Sequence, residues 1–187
     1  RSARKLIRAG VRVEDLCLRD GYGATAHALY ENVIDRAPVQ LEHLTRPFFR
    51  ILGRNLGDSA RLLRFSREGR TVGWVVVLFH GDRAVDLFHG ISYADNEEAD
   101  LYFNQLAETI RLSIARGARV LSLGQSTETA KGRFGAVLEP RYIALKHRHE
   151  VLNRVLRGGT RKLFPPKPPP PSRRVFHGEE GRGEGAR

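Results

Sequence analysis

Residues 71–80 read TVGWVVVLFH, and this stretch decides the fold class because both of its alternating sets of side chains are apolar. Successive side chains of a β-strand point to opposite faces of the sheet. One set is Val72, Trp74, Val76 and Leu78, and the other is Val75, Val77 and Phe79. A strand that is apolar on both faces has to be covered on both. We therefore predict that residues 71–80 form a central strand of a sheet with helices on either side.

Turn signals on both sides of this stretch predict two hairpins. Glu68-Gly69 precedes it and Gly81-Asp82 follows it. Short polar pairs that include glycine are typical of tight turns between antiparallel strands. The neighbouring strands are then predicted at residues 60–66 and 83–91, and a first strand is predicted at residues 11–17. This part of the sheet is therefore expected to be antiparallel.

Helical periodicity surrounds these strands. Two helices are predicted before the hairpins, at residues 22–37 and 45–55, with Thr45 as the N-cap of the second. A longer helix, capped by Asp95 and ended by Gly117, is predicted after residues 83–91. Its expected buried side is Ala99, Tyr102, Phe103, Leu106, Ile110 and Ile114.

A short apolar strand at residues 118–123 follows the long helix. Because a helix of about 20 residues separates it from residues 83–91, the two strands are predicted to be parallel and joined by a right-handed crossover. A short helix at residues 126–134 and a final strand at residues 138–147 complete the prediction. The fold class is therefore α/β, with a mixed sheet.

The composition fits one globular domain with an appendage. Of 187 residues, 41% are hydrophobic and 28% are charged, which excludes a wholly disordered, collagen-like or disulfide-stapled chain. Cys17 is the single cysteine, so an internal disulfide and a Cys-x-x-Cys zinc site are impossible, and we predict an inert buried thiol. No stretch approaches the roughly 18 apolar residues of a membrane span, and we expect a cytoplasmic protein.

The two ends of the chain differ from its middle. Residues 1–10 are a basic lead-in, interpreted as the end of a preceding lobe, and residues 11–157 are the predicted domain. Six of the nine prolines lie after Gly158, so residues 158–187 are predicted to be an extended, disordered tail rich in Pro, Gly and Arg. The formal charge of +11 is spread along the chain. Nucleic-acid binding through basic residues is therefore one alternative function.

The order of elements and several short motifs resemble a known family. The motifs are LTRPFF at residues 44–49, GWVVVL at 73–78, ADLYF at 99–103, VLSLG at 120–124 and KGRFGA at 131–136. Together they resemble the GNAT-like acyltransferase domains grouped with the Fem-type peptidoglycan aminoacyltransferases. The stretch RKLIRAGV at residues 4–11 resembles the basic element that often precedes the second lobe of tandem proteins of this group.

The resemblance implies a GNAT-like acyl-CoA N-acyltransferase fold and the transfer of an acyl or aminoacyl group to an amine acceptor. The donor it implies is an acyl-CoA or an aminoacyl-tRNA, and tRNA or a second GNAT-like lobe is an expected partner. Residues 90–98 depart from the family pattern, because they contain one glycine, no arginine and three acidic residues, so the CoA phosphate-binding turn is not recognisable. A non-catalytic lobe that binds the acceptor or a partner lobe is therefore another alternative.

The candidate site lies at the carboxyl ends of the two predicted parallel strands, where open α/β sheets bind ligands. His89 is a candidate base because an imidazole titrates near the working pH. Asp86 is a second candidate base, expected on the opposite side of the strand and more readily solvent-facing than buried. Gly90 and Gly124 end the two strands, and the resemblance places the thioester arm of the donor in the gap between them.

Polar residues after the second strand extend the candidate site. Gln125, Ser126 and Thr127 open the short predicted helix, where their side chains and amides are candidates to hold a carbonyl or a phosphate. Lys131 lies one turn further and is a candidate contact for an anionic group of the donor. Tyr142 is a candidate acid for the leaving group.

Three further residues are weaker candidates. Tyr93 is a second candidate acid, with packing as its ordinary role. His147 and His149 share one face of the predicted final strand. Because no third ligand accompanies them, no metal site is expected.

Overall fold

The computed structural model describes residues 2–37, 40, 42–124, 127–139 and 146–163. The chain divides into two compact units, Arg1–Gly124 and Gln125–Arg187. The first unit contains, in chain order, α1 (Ser2–Arg8), β1 (Arg12–Cys17), α2 (Leu18–Gly21), α3 (Ala24–Ile34), α4 (Arg46–Leu56), a short 3-10 turn (Gly57–Ser59), β2 (Ala60–Arg67), β3 (Arg70–His80), β4 (Arg83–Ile91), α5 (Tyr93–Ala99), α6 (Leu101–Ala115) and β5 (Val120–Ser122). The described helices of the second unit are α7 (Glu128–Gly132) and α8 (Glu150–Leu163).

The described strands form one mixed sheet in the order β1-β2-β3-β4-β5. Neighbouring strands from β1 to β4 are antiparallel, and β4 and β5 are parallel. The two predicted hairpins are confirmed, and positive φ angles at Glu68, Gly69 and Gly81 form their turns. The predicted parallel pair is confirmed as well, although β5 is shorter than the expected strand at residues 118–123.

Two β-bulges interrupt the ladders of the central strands. Val72 is the extra residue of β3 opposite Phe65 and Ser66, and Leu87 is the extra residue of β4 opposite Val76 and Val77. Each bulge places one more residue on one strand than on its partner and reverses the alternation of faces. Both bulges change which side chains share a face.

The central strand is buried on both faces, as the sequence predicts. One core cluster joins β2–β4 to α1, α5 and α6, and it includes Val72, Val75, Val77, Leu63, Phe65 and Leu101. The other joins the opposite face to α2, α3 and α4, and it includes Trp74, Val76, Tyr30, Phe49 and Leu62. Val72 therefore packs with Val75 and Val77, and its predicted grouping with Trp74 is wrong because the bulge turns it over.

The long helix expected between Asp95 and Gly117 is two helices. Asp100 has left-handed backbone angles (φ 53°, ψ 47°) and separates α5 from α6. The Oδ1 atom of Asn96 accepts a hydrogen bond from the Tyr102 amide at 3.0 Å, and the Asn104 side chain donates to the carbonyl groups of Ala99 and Asp100. These bonds satisfy the backbone groups that the break leaves open.

The buried side of α6 also differs from the prediction. Its buried residues are Leu101, Asn104, Gln105, Leu106, Thr109 and Ser113. Ile114, expected on the buried side, is 71% exposed. The inner face of α6 therefore carries several polar side chains, which an apolar periodicity does not reveal.

Of the two helices predicted before the hairpins, the first differs at its ends and the second agrees with the prediction. The helix predicted from residue 22 begins at Ala24, because α2 precedes it and Tyr22 has extended backbone angles. The helix α4 agrees with the predicted bounds, with Thr45 at its N-cap, Pro47 in its first turn and Gly57 at its end. Thr45 makes no side-chain capping hydrogen bond.

In the second unit, α8 contradicts the extended conformation predicted from residue 158, because it continues to Leu163. Apolar residues at helical spacing, such as Val151, Leu152 and Val155, favour the helix, and the prolines begin only at Pro165. Of the predicted final strand, residues 138, 139, 146 and 147 are not in a strand and residues 140–145 lie outside the described part of the chain. Residues 164–187 of the predicted tail also lie outside it. Within the described ranges, no helix is both long and apolar enough to cross a membrane.

Candidate functional site

The strands β4 and β5 part at the middle of β4. Their pairing covers Arg83–Val120, Ala84–Leu121 and Val85–Ser122, whereas β4 continues to Ile91. Residues 86–91 of β4 therefore have β3 on one side and, within the described residues, no strand on the other. No described strand pairs with this edge, and an unpaired strand edge can bind an extended ligand through its backbone groups. The sequence predicts the opening at the strand ends, at His89-Gly90 and Gly124, whereas the pairing already ends at Val85 and Ser122. We call this early parting of the two strands the split.

Asp86 and His89 lie together on the α6 side of β4. The Nε2 atom of His89 is 2.8 Å from Oδ1 of Asp86, whose carboxylate is buried. The sequence places these side chains on opposite faces, and that prediction is wrong because the bulge at Leu87 adds one residue between them. Asp86 is also buried, contrary to the expectation of a solvent-facing acid.

Gln105 of α6 connects His89 to the backbone of the central strands. Its Nε2 atom donates to the carbonyl oxygens of Trp74 (3.2 Å) and Gly90 (3.1 Å). Its Oε1 atom lies 2.9 Å from Nδ1 of His89. Gln105 is fully buried and was missed by the sequence prediction. The available signal was the spacing of Gln105, Thr109 and Ser113, which places three polar residues on one side of a helix.

Gly90 lies against the largest buried ring of the protein. A Cβ atom built on Gly90 would stand 2.1 Å from Nε1 of Trp74, so a larger residue has no room there. That Nε1 atom donates to the carbonyl oxygen of Ala26 at 2.7 Å, which fixes the indole. Gly124 follows β5 with a φ of +69°, and a Cβ atom there would be 3.5 Å from the Asp86 carbonyl oxygen. Both predicted glycines therefore border the split.

The first turn of α5 contains a carboxylate, that of Asp95. Asp95 is buried, receives hydrogen bonds from the Ser92 hydroxyl and from Arg70 (3.1 Å to each oxygen), and lies 3.6 Å from Arg67. Burial alone would raise the pKa of Asp95, but the bonds from Ser92 and Arg70 and the charge of Arg67 hold it below its ordinary value. Arg67 also pairs with Glu98 at 2.7 Å. The acidic residues of this turn are therefore compensated by arginines of the β2–β3 hairpin.

The remaining predicted site residues lie either outside the described residues or in the second unit. Gln125, Ser126 and Tyr142 lie outside the described residues. Thr127 and Lys131 belong to the second unit, where Thr127 is the N-cap of α7 without a side-chain capping bond and Lys131 is buried. Their roles stay predictions.

The weaker candidates have ordinary surroundings. The Arg36 guanidinium lies 3.8 Å from the centre of the Tyr93 ring. The rings of His147 and His149 stack at 5.4 Å. Within the described ranges, no group of three or more His, Cys, Asp or Glu side chains is arranged to hold a metal ion. Cys17 is half-buried with Arg61 Nη1 at 3.1 Å from its sulfur, and the inertness of this thiol stays a prediction.

Comparison with known proteins identifies related domains. The family model described as "Acetyltransferase (GNAT) domain" matches residues 1–132. No curated protein matches the chain by sequence. The comparison gives no support to the narrower Fem-type grouping.

Solved structures share the fold at low sequence identity. A predicted acetyltransferase from Clostridium acetobutylicum with acetyl-CoA has a TM-score of 0.60 and 7% identity, covering 74% of this chain and 99% of that one. An acetyltransferase from Trypanosoma brucei has a TM-score of 0.54 and 12% identity, covering 73% and 99%. An aminoglycoside acetyltransferase from an uncultured soil metagenomic sample, in complex with trehalose, has a TM-score of 0.54 and 10% identity, covering 76% and 99%. At these identities the likeness shows the fold alone.

Proposed function

Because the chain belongs to the acetyltransferase (GNAT) domain family, we propose that it transfers an acyl group from an activated donor to an amine acceptor beside residues 86–91 of β4. The observation that carries this proposal is the early end of the β4–β5 pairing, which leaves one edge of β4 open. Asp86, His89, Gly90 and Gly124 border this edge.

The transfer forms a C–N bond and breaks the bond between the acyl carbon and the donor's sulfur or oxygen. The amine nitrogen attacks the acyl carbonyl and loses a proton, while the leaving group gains one. The site therefore has to hold the carbonyl, stabilise its developing negative charge and allow one proton to move. The backbone of β4 is the described element best placed to hold the carbonyl, because along residues 86–91 the edge that does not pair with β3 has no strand beside it among the described residues.

The family implies an acyl-CoA donor, and the relative from Clostridium acetobutylicum is described with acetyl-CoA. An acyl-CoA supplies a carbonyl activated by its thioester bond. The open edge of β4 fits the amide-containing arm of such a donor. The first turn of α5 does not fit its phosphates, because the Asp95 carboxylate occupies the place where a helix start would attract an anion. The affinity for a donor therefore resides in the arm and the acyl group.

A comparison of two donors tests this proposal. The full chain is assayed with S-acetyl-pantetheine and with acetyl-CoA, and an aminoglycoside and a peptide with a free N-terminus serve as amine acceptors. We expect a similar kcat/KM for both donors, because the phosphates add little. His89→Asn should lower turnover, while His80→Asn, an exposed substitution at the end of β3, should leave it unchanged.

Each part of the proposal has its own contrary result. A strong preference for acetyl-CoA would contradict the arm-only donor site and leave the transfer intact. Absence of turnover with every acetyl, aminoacyl and acyl donor tried would contradict the transfer. The same assay should include an aminoacyl-tRNA as donor and the substrates of Fem-type enzymes, because both are further proposals for this site.

A non-catalytic lobe is the second candidate function, and the Asp95 carboxylate in the first turn of α5 favours it. Such a lobe would keep the fold, bind an amine-bearing acceptor or a partner lobe, and turn nothing over. Calorimetry distinguishes the two functions, because acceptor binding without donor binding is expected only of the non-catalytic lobe.

A further inference from the structure

Two buried polar side chains and one partly buried imidazole form a connected set beside the split, which we call the β4 network: Asp86, Gln105 and His89. Two of its members belong to the bulged part of β4, and the third reaches them from α6. The β4–β5 pairing ends at Val85, one residue before the network begins. The network therefore lies where β4 leaves its partner strand.

The contacts of Gln105 fix the position of one proton on His89. The Nε2 group of Gln105 donates to the carbonyl oxygens of Trp74 and Gly90, so Oε1 is the atom that faces His89. A carbonyl oxygen only accepts hydrogen bonds. The Nδ1 atom of His89, 2.9 Å away, must therefore carry a proton.

The other ring nitrogen then needs a second proton. With Nδ1 protonated, a neutral imidazole has a lone pair on Nε2, and this atom lies 2.8 Å from Oδ1 of Asp86. The contact is within ion-pair distance but outside hydrogen-bond geometry, and neither oxygen of the buried carboxylate has a hydrogen-bond donor in the described structure. Two electron-rich atoms at this distance in a buried place repel each other strongly. One proton shared by the pair turns the repulsion into attraction.

Two valines and one phenol are among the described neighbours of this pair. Val75 and Val77 of β3 stand opposite His89 and Asp86 in the ladder. The Tyr102 ring of α6 has its centre 5.4 Å from that of His89, so its phenol is a titratable group beside the imidazole. The two valines carry no charge, so the ladder partners supply no counter-charge to the carboxylate.

We propose that one proton held between His89 and Asp86, with Gln105 as the positioning residue, locks the Leu87 bulge and so keeps β4 parted from β5. The bulge is what brings Asp86 and His89 to the same face, so the attraction between them favours the bulged register over a regular ladder. When the pH rises far enough to remove the proton, the two groups repel and the lock is lost. His89 then acts by holding the edge of β4 in place, since both of its ring nitrogens are engaged.

Two measurements on the free protein test the lock without any substrate. In nitrogen NMR spectra of the full chain at about pH 8, we expect His89 to keep protons on both ring nitrogens, whereas an ordinary imidazole, which titrates near pH 6.5, has lost one. By hydrogen exchange, Asp86→Asn should speed the amides of residues 87–91 about tenfold, because the attraction between the Asp86 carboxylate and the protonated His89 ring is lost. His80→Asn is the control and should change neither measurement.

Either of two results would overturn the lock. One is loss of the second His89 proton together with those of the exposed histidines, and this needs no variant that has to fold. The other is unchanged exchange at residues 87–91 in Asp86→Asn.

The lock also has a catalytic consequence, which rests on the proposed function. The rate of acyl transfer should fall as the pH rises and removes the shared proton, and Asp86→Asn should make the rate less dependent on pH. A chain without transfer activity would leave the NMR and exchange results unaffected, so the two proposals fail separately.

Discussion

The two faces of the central sheet are packed by different kinds of side chain. On the α2–α4 side the cluster is aromatic, with the Tyr22 and Phe49 rings stacked at 4.3 Å and the Trp74 and Tyr22 rings edge to face at 5.3 Å. On the α6 side, apolar residues share the interior with buried polar groups, among them Gln105 and Thr109. One face is therefore held by apolar area and ring packing, and the other depends in part on specific hydrogen bonds.

The difference matters for the site because β4 contributes to both faces. At the bulge, Leu87 and Phe88 pack against the aromatic cluster, whereas Asp86 lies on the opposite face. The aromatic face supports β4 through apolar and ring packing, and the polar face holds Asp86 and His89 beside its open edge. Variants of the aromatic face should therefore lose stability through lost packing, and variants of the polar face through lost hydrogen bonds. The size of the loss should differ as well.

The largest effect is expected from removing the centre of the aromatic face. Trp74→Ala should lower the free energy of unfolding by about 4 kcal/mol, because it deletes a fully buried ring and leaves a cavity. Urea denaturation measures the loss. The control is Phe48→Ala, an exposed ring on α4, for which the loss should be below about 1 kcal/mol.

A second substitution sharpens the same prediction. Gly90→Ala in the native chain should cost about 2 kcal/mol or more, because its new Cβ would overlap the Trp74 indole. In the Trp74→Ala background the same change should cost much less. Additive costs in the double variant would show that the two residues do not share this packing.

The next largest effect is expected on the polar face. Gln105→Leu should lower the free energy of unfolding by about 3 kcal/mol, because two buried carbonyl groups and one ring nitrogen lose their partner. The measurement is again urea denaturation. Arg111→Leu, at an exposed position of the same helix, is the matched control and should be nearly neutral. A cost for Gln105→Leu as small as that of the control would mean that apolar packing alone holds this face.

The sequence could predict the strands and their order because alternation and turn pairs are local signals. The apolar run around Trp74 identifies the central strand, and the crossover length makes β5 parallel to β4. These features are confirmed. They depend on short stretches of chain, each of which carries its own pattern.

The geometry around the open edge of β4 could be predicted only in part. The sequence predicts a gap at the ends of the two parallel strands, at His89-Gly90 and Gly124, whereas their pairing already ends at Val85 and Ser122. The joining of Asp86 and His89 depends on a bulge that adds a residue without any change in composition. The break at Asp100 depends on bonds from Asn96 and Asn104, which are side-chain contacts that no periodicity encodes. The sequence prediction did not identify Gln105, because a polar residue on a helix is ordinarily expected to face solvent.

A smaller effect is expected at the start of α5, and it depends on pH. Asp95→Asn should lower the free energy of unfolding by about 1 kcal/mol at pH 7, because the bonds from Ser92 and Arg70 lose a charged acceptor. The pKa of Asp95 is lower in the folded state, so this contribution is present above the unfolded value of about 3.9. It is lost as the pH falls through the folded value, and the two proteins should become equal in stability there.

Urea denaturation at several pH values between neutral and strongly acidic conditions checks this prediction. Asp35→Asn, at an exposed position after α3, controls for the change from carboxylate to amide. A difference between native chain and Asp95→Asn that persists unchanged into strong acid would show that the carboxylate charge is not what stabilises this turn.

The smallest effect, and the only one expected to be stabilising, is at Thr109. Its hydroxyl is fully buried on the polar face and has no hydrogen-bond partner in the described structure. Thr109→Val keeps the shape and the β-branching and removes an unsatisfied group, so the free energy of unfolding should rise by up to about 1 kcal/mol. Ser113→Ala is the contrast, because the Ser113 hydroxyl donates to the Thr109 carbonyl at 2.8 Å and its loss should be slightly destabilising. If Thr109→Val instead lowers the free energy of unfolding, even a buried polar group of α6 without a described partner helps to hold this face. If Thr109→Val raises the free energy of unfolding and Gln105→Leu lowers it, only the side chains hydrogen-bonded to the strands hold this face.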